Sequence, residues 1–346
     1  MTGPAYLCPR CRAPARHEAG PDGPRYLCAG CGAGYPVLCG IPDFRLAPDR
    51  YLTLEAERAK AARLHAFARD HDFAETLAEY YRITDDVPPE MARRFAGYVL
   101  AGEARGRAVL ERLGPGGPLL DAGCGAGGLV AAAARAGQPV CGTDIALRWL
   151  VIAAKRLEEA GLSAELVCAD IAHPPFPPGR FARVAATDLF EHLPDPPAAA
   201  AALCGLLEPG GRIYATGANR YTLAPYPPAG LWGVGMLPPG LRRRYVTFRR
   251  GFDTLRHLAP TSPGALARLL RRAGFAQAAA APMQVPAERA QTLRGAPRRL
   301  LPLYRRLCAI RPGAAALLRL GPVFEITARR PGPAPATGSA TGKDRI

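Results

Sequence analysis

Lysine is nearly missing from this 346-residue chain and occurs only at Lys60, Lys155 and Lys343. The formal net charge of +16 is therefore an arginine charge. With glycine, proline and alanine also abundant, the skew points to a GC-rich genome. The excess charge then has two readings: a codon-driven solvated surface, or a face for RNA, anionic lipid or an acidic substrate. The chain also lacks an uncharged apolar run long enough to span a bilayer, which excludes a membrane-spanning helix. It opens without a signal-peptide pattern, so a soluble cytoplasmic protein is expected. No serine, histidine and acid arrangement for acyl transfer stands out. An apolar content of 49% with 21% charged residues is that of a globular protein, and the length suits one sizeable core with appendages or two modest domains.

The rest of the chain is organised around Leu119 to Val130, LLDAGCGAGGLV. Two apolar residues end a strand, Asp121 sits at its carboxyl edge, glycines turn the chain, and Leu129 to Ala136 reads as a helix. Such a strand, turn and helix build a nucleotide site, in which Gly123, Gly125, Gly127 and Gly128 let the backbone approach a ligand. Gly123, Gly125 and Gly128 also satisfy the dinucleotide pattern G-x-G-x-x-G, so a nicotinamide or flavin enzyme stands beside an S-adenosylmethionine enzyme. Asp121 tilts the choice: a carboxylate there repels a pyrophosphate and attracts the ammonium of S-adenosylmethionine.

Near the amino terminus, Cys8-Pro-Arg-Cys11 and Cys28-Ala-Gly-Cys31 are two C-x-x-C knuckles sixteen residues apart. Four thiolates at this spacing make a tetrahedral zinc site. The disulfide alternative needs an oxidising compartment, for which no signal peptide speaks. Four cysteines leave no open coordination position, so the zinc is structural, and in zinc-finger peptides such binding contributes on the order of 10 to 16 kcal/mol to folding. Cys39 reads as a small buried hydrophobe. With Tyr35 to Phe44, YPVLCGIPDF, the segment resembles the zinc-ribbon modules that accompany methyltransferases. A ribbon also precedes the ribosomal RNA guanine methyltransferases, whose histidine ligand His17 is wrongly placed to supply.

Helices follow at 52–67 and 73–82, and a long one is expected from Pro88 to Gly114. Tyr80 and Tyr81 are read as helix-packing aromatics, with a substrate-lining role as the alternative. Strands then alternate with helices, which calls for a parallel sheet covered on both faces. Pro139 to Thr143 is a strand ending at Asp144, some twenty residues past Gly123, where a carboxylate can accept both ribose hydroxyls. Glu165 to Ala169 ends at Asp170 and Ile171, an acid for the adenine amino group and an apolar side chain for its ring. Arg183 to Thr187 leads to Asp188, Glu191 and His192, and Arg212 to Thr216 is a fifth strand.

The ordered series DAGCGAGG, GTDI, CADI, TDLFEHLPDP and LLEPGGRIYAT resembles the class I S-adenosylmethionine-dependent methyltransferases from about Leu119 through Phe275. The resemblance implies an α/β fold with a seven-stranded, mostly parallel Rossmann-like sheet and helices on both faces. It also implies that Asp121, Gly123 and Gly125 hold the methionine portion of the cofactor. Asp144 with Ile145 would hold the ribose and Asp170 with Ile171 the adenine, while Asp188 lies where cofactor meets substrate. A general base is sought in His192, Glu191 or His257; a loop-holding role for the E-H-L triplet is the competing reading.

The expected organisation is a zinc ribbon over 1–46, a helical linker or cap over 47–114, a methyltransferase domain over 115–330 with substrate-side insertions at 218–262 and 286–320, and a disordered tail over 331–346. The first insertion resembles those of methyltransferases of saccharide and glycolipid assembly, except that Pro228 stands where a histidine is expected. Asn219, Tyr221 and Trp232 are its candidate acceptor contacts, with packing as their alternative. In the second, the arginines and leucines of Arg294 to Leu320 suit an anionic membrane, a helical lid or a dimer face. The acceptor expected is a small molecule, saccharide or lipid-linked compound, methylated on oxygen. RNA is the rival substrate, against which stands the lack of an N-P-P-Y-like motif. A cofactor-binding protein without catalysis is the rival from another class.

Overall fold

The computed structural model describes residues 5–84, 87–285, 290 and 295–332. It opens with five short strands, β1 (Tyr6–Leu7), β2 (Pro14–Gly20), β3 (Gly23–Cys28), β4 (Gly34–Leu38) and β5 (Ile41–Pro42), paired antiparallel in chain order. Four helices come next: α1 (Leu54–Phe67), α2 (Phe73–Arg82), α3 (Pro89–Leu100) and α4 (Gly102–Leu113). The start of α2 is chemically marked, because Asp72 and Glu75 form a reciprocal capping box. The single helix expected from Pro88 to Gly114 is two helices parted at Ala101. Close packing explains the break: a Cβ on Gly128 would stand 2.5 Å from the carbonyl carbon of Gly102. Gly102 thereby brings α4 onto the helix that follows the glycine loop, while α3 reaches elsewhere, donating from Tyr98 to Asp188 and from Arg94 to the Pro227 carbonyl.

The main sheet has seven strands: β6 (Leu119–Ala122), β7 (Val140–Asp144), β8 (Glu165–Cys168), β9 (Phe181–Ala186), β10 (Leu207–Ala218), β11 (Ala276–Pro282) and β12 (Val323–Arg329). Their order is β11-β12-β10-β9-β6-β7-β8, and only β12 runs against its neighbours. The helices that accompany them are α5 (Gly128–Arg135), α6 (Leu147–Glu159), α7 (Pro196–Leu206), α8 (Pro239–Arg250), α9 (Pro263–Arg272), α10 (Ala296–Ala309) and α11 (Arg311–Leu320). The expected α/β class and mostly parallel seven-stranded sheet are thus observed. Every residue of β9 is buried, as a central strand covered on both faces requires. The fifth strand begins earlier than Arg212, since a register shift between Leu207 and Arg212 takes the E-P-G-G turn into β10. Strand order reverses between β6 and β9, and a ligand crevice lies outside the carboxyl ends at such a point.

The amino-terminal ribbon shares the core of this sheet. Phe44 N–H donates to the Cys168 carbonyl at 2.8 Å, Leu7 N–H to the Pro175 carbonyl at 2.8 Å, and the Tyr6 hydroxyl to Glu165 at 2.7 Å. Phe44, fully buried, lies 5.0 Å from Tyr6 between ring centroids, and Tyr6 in turn lies 6.2 Å from Phe176. The ribbon so covers the exposed edge of β8. Residue 46 therefore marks a change of chemistry rather than of packing. Tyr80 and Tyr81 stack edge-on, with Trp149 4.4 Å from Tyr80, which is the packing role. Of the tail expected over 331–346, residues 333–346 lie outside the described residues, as do 286–289 and 291–294 of the expected second insertion. Among the described residues no helix is long and apolar enough to cross a membrane.

Candidate functional site

The loop after β6 is bent by left-handed glycines, with φ of +74° at Gly123 and +49° at Gly125. Its amides are partly tied down: Gly123 and Cys124 donate to the Thr143 carbonyl, and Gly125 N–H donates to Asp144 Oδ2 at 2.9 Å. Asp144 Oδ1 accepts the Ala146 amide at 2.9 Å. Asp144 is thus the clamp of the loop, with a second lone pair free on each oxygen. Gly128 packs against Gly102 at the start of α4. Asp121 has a different environment. It is 3% exposed, no described side chain neutralises it, and burial followed by the nearby Asp144 charge pushes its pKa up to about 7.

Asp170 ends β8's loop, accepting the Ala172 amide at 2.9 Å, with buried Ile171 beside it. Ile145 is held from the ribbon: the Arg45 guanidinium donates to its carbonyl at 3.1 Å while forming a buried pair with Asp43. A second buried cluster lies behind Asp144, where Arg148 pairs with Asp49 at 2.7 Å and with Glu57. Neither Arg45 nor Arg148 was visible as a site residue in the sequence, although Arg45 directly follows the GIPDF ending.

At the end of β9, Asp188 adopts φ of +51°, unusual for a residue with a side chain. Three hydrogen bonds hold it there: its amide donates to Thr216 Oγ1 at 3.1 Å, and its carboxylate accepts from the Thr216 hydroxyl and the Tyr98 hydroxyl, each at 3.0 Å. Glu191 follows, 4% exposed, with Oε2 buried and unpartnered among the described residues. Burial, then Asp188, pushes its pKa up to about 8. His192 stands at the rim, exposed on its outer side, and desolvation by the surrounding protein lowers its pKa against the opposing pull of Asp188. His257 belongs to the overlying segment, where Ala259 N–H donates to the Glu191 carbonyl at 2.8 Å. Arg256 Nε donates to His257 Nε2 at 3.0 Å, and Arg50 donates to its carbonyl, so His257 is tied into the roof. Its pKa is lowered by desolvation and by both arginines.

A family profile described as a methyltransferase domain matches residues 120–215, the run from β6 into β10 that contributes Asp121, Asp144, Asp170 and Asp188. Over those residues the chain carries a methyltransferase domain. Nocamycin O-methyltransferase of Saccharothrix syringae is 36% identical over 176 residues, which are 47% of this chain and 60% of that protein. The ubiquinone biosynthesis O-methyltransferase of Thiobacillus denitrificans is 39% identical over 107 residues, 30% of this chain and 44% of the relative. That of Xylella fastidiosa is 34% identical over 167 residues, 46% and 61%. The chain spans about half the length of the curated relatives it matches. A solved phosphoethanolamine N-methyltransferase 2 of Haemonchus contortus is 19% identical with a TM-score of 0.44, covering 66% of this chain and 52% of that one.

Beyond the matched residues, the segment after β10 adds further polar groups near Glu191. Tyr226 is 1% exposed and its hydroxyl is unpartnered among the described residues, as is the buried Nε of Arg242. Burial and the charge of Glu191 raise the Tyr226 pKa. Three unpartnered polar atoms, on Glu191, Tyr226 and Arg242, are thus left by the fold at this edge. Tyr226 went unnoticed in the sequence because the excursion offers no period or motif there. Asn219, a candidate acceptor contact, is instead a buried clamp: its Nδ2 donates to the carbonyls of Leu318, Arg319 and Gly321 at 3.1 to 3.2 Å. Tyr221 and Trp232 remain exposed.

Within the ribbon, the sulfurs of Cys8, Cys11, Cys28 and Cys31 all lie within 4.8 Å of one another. The Cys8–Cys31 separation is 3.7 Å and the Cys11–Cys28 separation 3.4 Å. A tetrahedral ion with Zn–S bonds of about 2.3 Å sets its sulfurs about 3.8 Å apart, so the four thiols fit such an ion. Burial opposes ionisation of Cys8, yet the Tyr35 hydroxyl and backbone amides outweigh it and lower its pKa to about 6. Cys39 stands apart from the cluster, half-buried against apolar neighbours, and exposed His17 packs edge-on to Tyr26.

Proposed function

We propose that this protein transfers a methyl group from S-adenosylmethionine to a hydroxyl oxygen of a small acceptor, such as a specialised metabolite, a saccharide or a glycolipid. The observation that carries the reading is Asp121, a buried carboxylate with no cation beside it among the described residues, at the start of a glycine loop. Such a group calls for a positively charged ligand, and S-adenosylmethionine brings an ammonium where a dinucleotide brings an anionic pyrophosphate. Asp144 and Ile145 would hold the ribose, Asp170 and Ile171 the adenine. The oxygen assignment is supported by the O-methyltransferases among the relatives.

Bound cofactor supplies an already activated methyl group, so the protein's own task is to place the acceptor in line, take up its proton and exclude water. The two neighbouring titratable groups divide this work. His192, held below the ordinary histidine range, is neutral at pH 7 and can accept the proton of the acceptor hydroxyl. Glu191, pushed up to about 8, is largely protonated at the same pH and can donate a hydrogen bond to the acceptor. Tyr98 and Thr216 position Asp188 between them. The cysteine cluster would hold zinc in a structural role, since all four coordination positions are filled by protein.

The test is methyl-labelled S-adenosylmethionine incubated with zinc-loaded protein and a host extract separated into RNA, protein, organic-soluble and small polar pools. Label in the organic or polar pool as an alkali-stable ether is expected. Label confined to RNA, or cofactor binding without turnover in any pool, would overturn the proposal.

A further inference from the structure

The charge of the chain is not spread over it. Residues 1–218 hold 23 basic and 25 acidic side chains, whereas residues 219–330 hold 20 arginines against three acids, Asp253, Glu288 and Glu325. The basic excess thus begins where β10 ends. The same stretch carries ten of the thirteen large apolar side chains exposed to solvent among the described residues. A codon-driven arginine bias accounts for neither the boundary nor the apolar side chains.

The helix α8, PGLRRRYVTFRR, shows how the two features combine. Its one buried residue is Val246, while Leu241 is 56% and Phe248 86% exposed. Residues seven apart share a helix face, so Leu241 and Phe248 point together away from Val246. Arg243, Arg244 and Arg249 are exposed around them. This reverses the usual amphipathic order, in which large apolar residues face the core. On α10 the pattern recurs with Leu300 and Leu303, 59% and 55% exposed, beside exposed Arg298 and Arg299.

Two adjoining clefts lie within this stretch. A cleft of about 670 Å³, edged by Arg271 and Arg319, and one of about 510 Å³, edged by Arg220 and Arg242, share the side chain of Met236, and no acid lines either. Elements α8, α9 and α11 meet across them. A second copy presenting the same face would bring like charge, whereas an anionic partner suits the arginines. A nucleic acid can stack on Phe248 but has nothing to offer the outward leucines, whereas a lipid surface takes both.

We propose that the 219–320 face docks on an anionic lipid membrane, with its arginines at the headgroup phosphates and Leu241 and Phe248 entering the acyl boundary. The experiment is vesicle co-flotation of the full-length zinc-loaded protein. Vesicles of phosphatidylcholine with about one third phosphatidylglycerol should carry the protein, and vesicles of phosphatidylcholine alone should not. Raising the salt to about 0.5 M should weaken binding at least about tenfold. The double variant Leu241→Ser, Phe248→Ser keeps every charge and alters only exposed positions, and should also lower binding about tenfold. Leu100→Ser, equally apolar and 50% exposed but outside the face, should bind as the parent does. Failure to float with anionic vesicles, equal loss in Leu100→Ser, or retention of RNA in place of vesicles would each overturn the proposal.

Discussion

The carboxyl edge of β6 to β10 and the surface that follows β10 are built from the same residue types under opposite rules. At the edge, charges are few and individually specified: Asp144 holds two amides, Asp188 holds two hydroxyls, and among the described residues the buried carboxylates of Asp121 and Glu191 have no cation beside them. Beyond it, charges are many, exposed and almost all of one sign. A single charge at the edge is therefore worth much because low dielectric and fixed geometry concentrate its effect, whereas the outer face acts through a sum that salt can screen. Substitutions at the two places should separate cleanly.

The largest effect is expected at the clamp. Asp144→Ala frees the Gly125 amide and removes the proposed ribose acceptor together, so S-adenosylmethionine affinity in calorimetry should fall by about 100-fold or more, on the order of 3 kcal/mol for two lost, partly buried bonds. Vesicle binding should be unchanged. An intact affinity would mean that the loop is held otherwise.

Stripping the zinc proposed for the four cysteines with a chelator comes next. The melting temperature should fall by roughly 10 °C or more, as loss of a structural metal implies. Cofactor affinity should fall with it, because Arg45 joins the ribbon to the Ile145 carbonyl. A chelated protein that binds cofactor normally would uncouple the two.

A pH effect of intermediate size follows from Asp121. Its pKa in the free protein lies at about 7, and a cationic ligand needs the ionised form, so cofactor affinity should drop by up to about tenfold for each unit below pH 7. In Asp121→Asn that slope should vanish from the binding curves.

For Glu191 the sign can be worked out against stability. Its pKa rises from an ordinary value near 4.5 to about 8 on folding, so its favourable contribution is complete below the unfolded value and is lost as pH rises through the folded one. Replacement by glutamine removes that dependence, and the gain in melting temperature over the parent should grow between about pH 4.5 and about pH 8, then level off. A gain that is flat with pH would place the carboxylate in water. The smallest effect is expected of Phe248→Ser on cofactor affinity, within about twofold, since the side chain is 86% exposed.

The parts of the site legible in the sequence are those set by near neighbours. A left-handed turn demands glycine at 123 and 125, a strand end followed by an acid announces Asp144 and Asp170, and Asp72 with Glu75 marks the start of α2. The four cysteines likewise declare their cluster by spacing, and the structure brings their sulfurs together. What escaped was long-range. The turn at Ala101 depends on Gly102 meeting Gly128, Asn219 is consumed by the end of α11, and Tyr98 finds Asp188 ninety positions away.

By itself, then, the amino-acid sequence determined the alternation of strands and helices, the glycine loop, the acids at the strand ends and the four thiols, because each rests on backbone sterics or period within a few residues. Tertiary structure alone decided which of these residues work under strain or without a partner. Burial left Asp121 and Glu191 uncompensated, packing carried Arg45 from the ribbon to the Ile145 carbonyl after β7, and α8 folded with Leu241 and Phe248 outward. Desolvation depends on everything that surrounds a group, and that surrounding comes from every part of the chain.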